Sequence, residues 1–105
     1  MFRYYVTFRI SDKTIGGKTY NDRYQSLMAA AKKANGGFWP ETTSFILAES
    51  NLETYAFAES LSKDLSKNHD LVVVIDPTDD SAGCFGVLEH EDILKSFFPK
   101  LKKVG

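Results

Sequence analysis

Apolar and polar residues alternate without a break from Phe2 to Ile10. Phe2, Tyr4, Val6, Phe8 and Ile10 fall on one side; Arg3, Tyr5, Thr7 and Arg9 fall on the other. A period of two predicts a strand with a core face and a polar face. The period then changes. After the loop Ser11–Lys18, Tyr20, Tyr24, Leu27, Met28 and Ala31 recur at helical spacing and predict a first helix that buries this stripe. Thr19 is placed to cap it, Asp22 lies in its first turn, and Asn35-Gly36-Gly37 ends it.

Beyond that stop the pattern is shorter and more β-branched. Phe38-Trp39 reads as a stub of strand closed by Pro40-Glu41, with Trp39 as a core anchor. Thr42–Glu49 reads as a full strand. A second helix follows the Ser50-Asn51 turn, with Phe57, Ala58, Leu61 and Leu65 inward; Asn51 and Thr54 are both candidate caps. Leu71–Ile75 is apolar at every position. That predicts a strand covered on both faces, by its own chain or by a partner. Asp76–Gly83 reads as a loop and Cys84–Leu88 as a short strand. Asp92–Phe98 reads as a last helix with Ile93, Leu94, Phe97 and Phe98 inward, and Lys100–Gly105 as a basic tail.

The order β-α-β-β-α-β, followed by an extra strand and helix, predicts an α+β fold. It is the ferredoxin-like, split β-α-β plan. With right-handed crossovers the first and third strands lie in the middle, and the first runs antiparallel to Leu71–Ile75. That arrangement brings Asp12 toward His69 and Asp70 at one end of the sheet, and Arg3 toward Asp76 at the other. It also leaves one sheet face open. Tyr5, Val72, Val74, Cys84 and Phe85 are the expected dimer contacts there.

Composition narrows the function. One hundred and five residues make a single domain, 1–105, with no room for a second core. Thirteen Lys+Arg against fourteen Asp+Glu exclude a binder that works by bulk positive charge. A single cysteine excludes an intrachain disulfide and a cysteine-rich zinc site. No apolar run is long enough to span a bilayer. Met1–Tyr5 lacks the basic-then-apolar order of a signal peptide, so the expectation is a cytoplasmic protein without membrane contact.

Candidate chemistry is sparse. Gly16-Gly17-Lys18-Thr19 sits between strand and helix as a P-loop does, but Asp12 stands where that motif needs its first glycine. What remains is a phosphate contact at Lys18 and the start of the helix. Arg3, Arg9, Lys13 and Lys18 are the candidate contacts for phosphate or a nucleic-acid backbone. The acids Asp76, Asp79 and Asp80 lack the ligand spacing of an EF-hand. Charge complementarity with the tail lysines accounts for them, so no metal and no cofactor is expected. Asp12, His69 and Asp70 are the candidate acid–base group.

Gly36-Gly37-Phe38-Trp39, the run Thr43-Ser44-Phe45-Ile46-Leu47, the helix opened by Asn51-Leu52 and the strand Asp70-Leu71-Val72-Val73-Val74 together resemble the small SinR-like proteins. These are similar to VapD and to the small subunit of the CRISPR spacer-integration complex. The resemblance implies a ferredoxin-like homodimer joined through open sheet faces, with the segment matching Cys84–Leu88 crossing onto the partner's sheet. Some relatives cleave RNA with magnesium held by an aspartate near the end of the first strand. Arg9 stands at that position here. The expectation is therefore a non-catalytic homodimeric scaffold that contacts a protein partner or nucleic-acid backbone. The alternative is a VapD-type metal-dependent endoribonuclease.

Overall fold

The computed structural model describes residues 1–33 and 36–105. In chain order these form β1 (Phe2–Arg9), α1 (Tyr20–Lys32), β2 (Phe38–Trp39), β3 (Phe45–Ser50), α2 (Thr54–Ser62), β4 (Leu71–Asp76), β5 (Ser81–Gly86), α3 (Glu91–Phe97) and β6 (Lys102–Lys103). Among the described residues the fold is α+β: three helices and a six-stranded sheet of order β2-β3-β1-β4-β5-β6. β1 is antiparallel to both of its neighbours, β3 and β4. The sheet is wider than a four-stranded plan with one added strand, because β5 pairs with β4 of its own chain and β6 extends it in parallel.

Local chemistry explains several boundaries. Thr19 and Asp22 form a reciprocal capping box: the Asp22 amide donates to Thr19 Oγ1 at 3.0 Å, and the Thr19 amide to Asp22 Oδ2 at 2.9 Å. The Thr19 amide, and after it the Thr19 hydroxyl, hold Asp22 below the ordinary carboxylate pKa. The expected stop at Asn35 lies outside the described residues. α2 uses neither Asn51 nor Thr54 as a cap; its cap residue is Glu53, with no side-chain bond. β5 begins at Ser81, earlier than the sequence suggests, because its small residues lie under α2. A Cβ on Gly83 would stand 2.9 Å from Ala58 Cβ.

Two apolar layers result. In the first, Tyr4, Val6 and Phe8 of β1, Ile46 and Ala48 of β3, Val72 and Val74 of β4, and Phe85 pack against Leu27, Met28 and Ala31 of α1 and Phe57, Ala58 and Leu61 of α2. Tyr4 stacks on Phe57 with ring centroids 4.7 Å apart. In the second, Val73, Ala82, Cys84 and Leu101 are buried on the opposite face, under Leu94 of α3 and Phe98 just beyond it.

These layers correct three expectations. Val72 and Val74 face the helices, not the open face, because register sets them opposite Phe8 and Val6. Phe85 shares that face, being opposite Val72. Cys84 is on the other face but is buried within its own chain. The α3 stripe also divides: Leu94 and Phe98 pack inward, while Ile93 and Phe97 are exposed, Phe97 at 73%. The tail is ordered rather than free. The Val104 amide donates to the Cys84 carbonyl at 2.8 Å, Lys100 Nζ donates to the Asp79 carbonyl at 2.9 Å, and Lys103 Nζ pairs with Glu91 at 3.4 Å.

Candidate functional site

The end of the sheet where Asp12, His69 and Asp70 were expected to meet is built around an internal ion pair. Arg23 and Asp70 are both fully buried, and Arg23 Nε lies 2.9 Å from Asp70 Oδ2. The Ser66 amide donates to the same oxygen at 2.8 Å, and the Ser11 amide donates to Oδ1 at 2.9 Å. The other arms of Arg23 donate to the carbonyls of Ser11, Lys13 and Lys18. A buried guanidinium is tolerated only when its donors are occupied, and these are. The network ties the loop after β1 to α1 and to the start of β4. Gly86 closes the same end. It adopts a φ of +93°, and a Cβ there would stand 1.8 Å from the Asp70 carbonyl oxygen.

This geometry separates the three candidates. The segment Ser11–Asp12 does approach Asp70, but the Asp70 carboxylate is spent on Arg23 and two amides and does not reach the surface. His69 is exposed, with Nδ1 2.9 Å from Ser66 Oγ. Asp12 is exposed on the loop. Among the described residues no hydrogen bond or ion pair joins Asp12 to His69. Among the described residues, no group of three His, Cys, Asp or Glu side chains is placed to hold a metal ion.

The Gly16-Gly17 loop is a turn rather than a cradle. Ile15 and Lys18 exchange two backbone hydrogen bonds of 2.9 Å, and Gly16 and Gly17 have φ of +57° and +80°. That is the two-residue hairpin turn in which glycine is favoured at both positions. The Lys18 amide is thereby used, and its ammonium pairs with Asp64 at 3.2 Å. Asp64 is held below its ordinary pKa chiefly by that Lys18 hydrogen bond and by Ser26.

At the other end, Arg3 does not turn to Asp76. Register places it opposite Glu49, and Arg3 Nε donates to Glu49 Oε2 at 3.0 Å. The Gly37 amide also donates to Glu49, at 2.6 Å, and is the first cause of its lowered pKa, ahead of Arg3. Asp76 and Asp79 accept from nearby groups in their own loop, Thr78 and Ser81. The Ser81 hydroxyl and amide hold Asp79 below the carboxylate range.

The surface that stands out is the half of the second sheet face that α3 leaves bare. Trp39, Leu47 and Tyr5 sit directly opposite one another on β2, β3 and β1. They are 39%, 36% and 44% exposed. Phe45 joins them, its ring centroid 6.1 Å from that of Tyr5. Arg9 and Thr7 continue the face along β1, both exposed. Trp39 is thus no core anchor. Phe38, opposite Ala48, takes the inward position and packs on the first layer.

Sequence reasoning passed over Arg23 and placed Trp39 on the wrong face. Arg23 had a signal: it sits three residues after Tyr20 and four before Leu27, on the stripe that α1 buries, so it required a buried acid. For Trp39 the parity of a two-residue strand is undetermined until its partner is known. No helix among the described residues is long and apolar enough to cross a membrane. Comparison with protein-family models gives no match, and neither do comparisons with characterised proteins and with solved structures.

Proposed function

We propose that this chain is a non-catalytic interaction module: a ferredoxin-like domain that self-associates through the bare half of its second sheet face. The observation that carries the reading is the row Trp39–Leu47–Tyr5, contiguous across three strands and exposed. Aromatic rings and leucine gathered on one flat face are the composition of an interface centre. The inner order β2-β3-β1-β4 supports the ferredoxin-like plan, with β5 and β6 as an extension of one edge. Arg9 lies along the same strand as Tyr5 and makes no ion pair among the described residues. It offers a phosphate backbone a positive contact beside the dimer centre, and such a contact positions a nucleic acid without reading its sequence. The internal use of Asp70 argues against the endoribonuclease alternative.

The test is the mass in solution. Light scattering should give twice the monomer mass at micromolar concentration, and Leu47→Asp should give a monomer with an unchanged circular dichroism spectrum. A wild type that stays monomeric across a dilution series overturns the dimer. Magnesium-dependent RNA cleavage by the purified wild type overturns the non-catalytic reading.

A further inference from the structure

α3 is thinly anchored to its own chain. It has seven residues and none is fully buried; Leu94, and Phe98 just beyond its end, reach only partly into the second layer. So short a helix does not hold by itself, and packing must supply its stability. Yet Ile93 is 54% and Phe97 73% exposed. Four positions apart, they share one flank of the helix. Glu91 shows which flank. It turns to Lys103 on β6, the outer edge of the sheet. At about 3.6 residues per turn, Ile93 and Phe97 lie well round the helix from Glu91, on the side toward Tyr5, Leu47 and Trp39. The apolar surface is therefore a step, with the bare strands as its floor and the flank of α3 as its riser.

A step of this kind fits a copy of itself. A helix is about as thick as the gap between packed sheets, both roughly 10 Å. A two-fold axis along the strands lays each α3 on the bare half of the other copy and sets the two Ile93–Phe97 flanks against each other. Charge agrees with this placement. Arg9 pairs with Leu71 and Leu71 with Gly86, where β5 ends and the chain leads into α3. Arg9 and the first turn of α3 thus stand at the same end of the sheet. The axis keeps that end common to both copies and brings Asp92 toward Arg9 of the partner subunit. Both residues are exposed, and neither makes an ion pair among the described residues.

We infer that the bare half-face is covered by α3 of a second copy, docked reciprocally, with Ile93 and Phe97 at the two-fold axis and Asp92 on Arg9 of the partner subunit. The inference rests on the self-association proposed for the sheet face and names the element that fills it. A guanidinium has five N–H donors, so an Arg9 that meets one carboxylate keeps donors for a phosphate.

Sedimentation equilibrium over a dilution series tests it on the full chain. Phe97 is exposed, so Phe97→Asp should leave the circular dichroism spectrum unchanged and weaken dimerisation by about tenfold or more, as loss of a central aromatic contact predicts. Arg9→Asp and Asp92→Arg should each weaken it, and the double variant should recover most of the loss. Amide exchange in α3 should slow as wild-type concentration rises and stay fast in Leu47→Asp. A dimer that Leu47→Asp dissociates and Phe97→Asp leaves intact overturns the docking of α3 while sparing the sheet-face reading. Charge reversals that fail to restore one another overturn the reciprocal placement. A wild type that stays monomeric overturns both.

Discussion

The second face of the sheet is finished in two ways. Over β4 and β5 the chain covers itself: Leu94, Phe98 and Leu101 close on Val73, Ala82 and Cys84, and burial raises the Cys84 thiol pKa. Over β2, β3 and β1 nothing among the described residues lies on Trp39, Leu47 and Tyr5. The difference corrects the reason for expecting a partner. The strand that is apolar throughout, Leu71–Ile75, finds its second cover in α3 and needs no other chain. The patch that lacks cover is mixed, with a leucine among aromatic rings and the Arg3–Glu49 pair beside it. Apolar character alone therefore does not locate an interface; what the rest of the chain leaves uncovered does.

The largest effect on stability should come from neither half, and it sets the scale for both. Arg23→Met strands the buried Asp70 carboxylate and should cost about 3–5 kcal/mol in urea denaturation. A loss comparable to that of an exposed ion pair would mean that Asp70 is solvated. Next, the two halves should separate when each loses one apolar group. Leu101→Ala removes a buried side chain and should cost about 2–5 kcal/mol. Leu47→Asp, measured where protein concentration is too low for association, should stay within about 0.5 kcal/mol of wild type. Equal costs would erase the distinction between covered and bare. The smallest effect belongs to Glu49. Its pKa is lowered in the folded state, so its contribution is present above the ordinary carboxylate range and is lost as pH falls through the depressed value. Glu49→Gln should lower stability slightly at neutral pH and flatten the acid limb, the difference from wild type fading as pH falls. A steeper acid limb in the variant would contradict the assignment.

What could be read from the chain was what is local. The Thr19–Asp22 box is a four-residue pattern, and β1 announces its core face by strict alternation. Leu71–Ile75 announces a strand but not its parity, since every position is apolar; Val72 and Val74 are assigned only through pairing with Phe8 and Val6. The Arg23–Asp70 pair spans 47 positions, so no window along the sequence contains it. Gly83 weakened the signal for β5, yet it is there because α2 comes too close for a side chain. The bare face stayed hidden for the same reason as the parity of β4. It depends on which way a two-residue strand turns and on which half of the sheet α3 covers.

Both margins of the sheet end in strands of two residues. One, Phe38–Trp39, is cut short before Pro40; the other, Lys102–Lys103, presents two lysines. Brief edges, proline and lysine leave little backbone for a foreign strand to copy. Growth by adding strands edge to edge, the route to fibrils, has almost no template here. A face-to-face pair, by contrast, uses the same patch on both copies and leaves none over for a third. Under the proposed self-association, short edges and one bare face together limit the assembly to two copies.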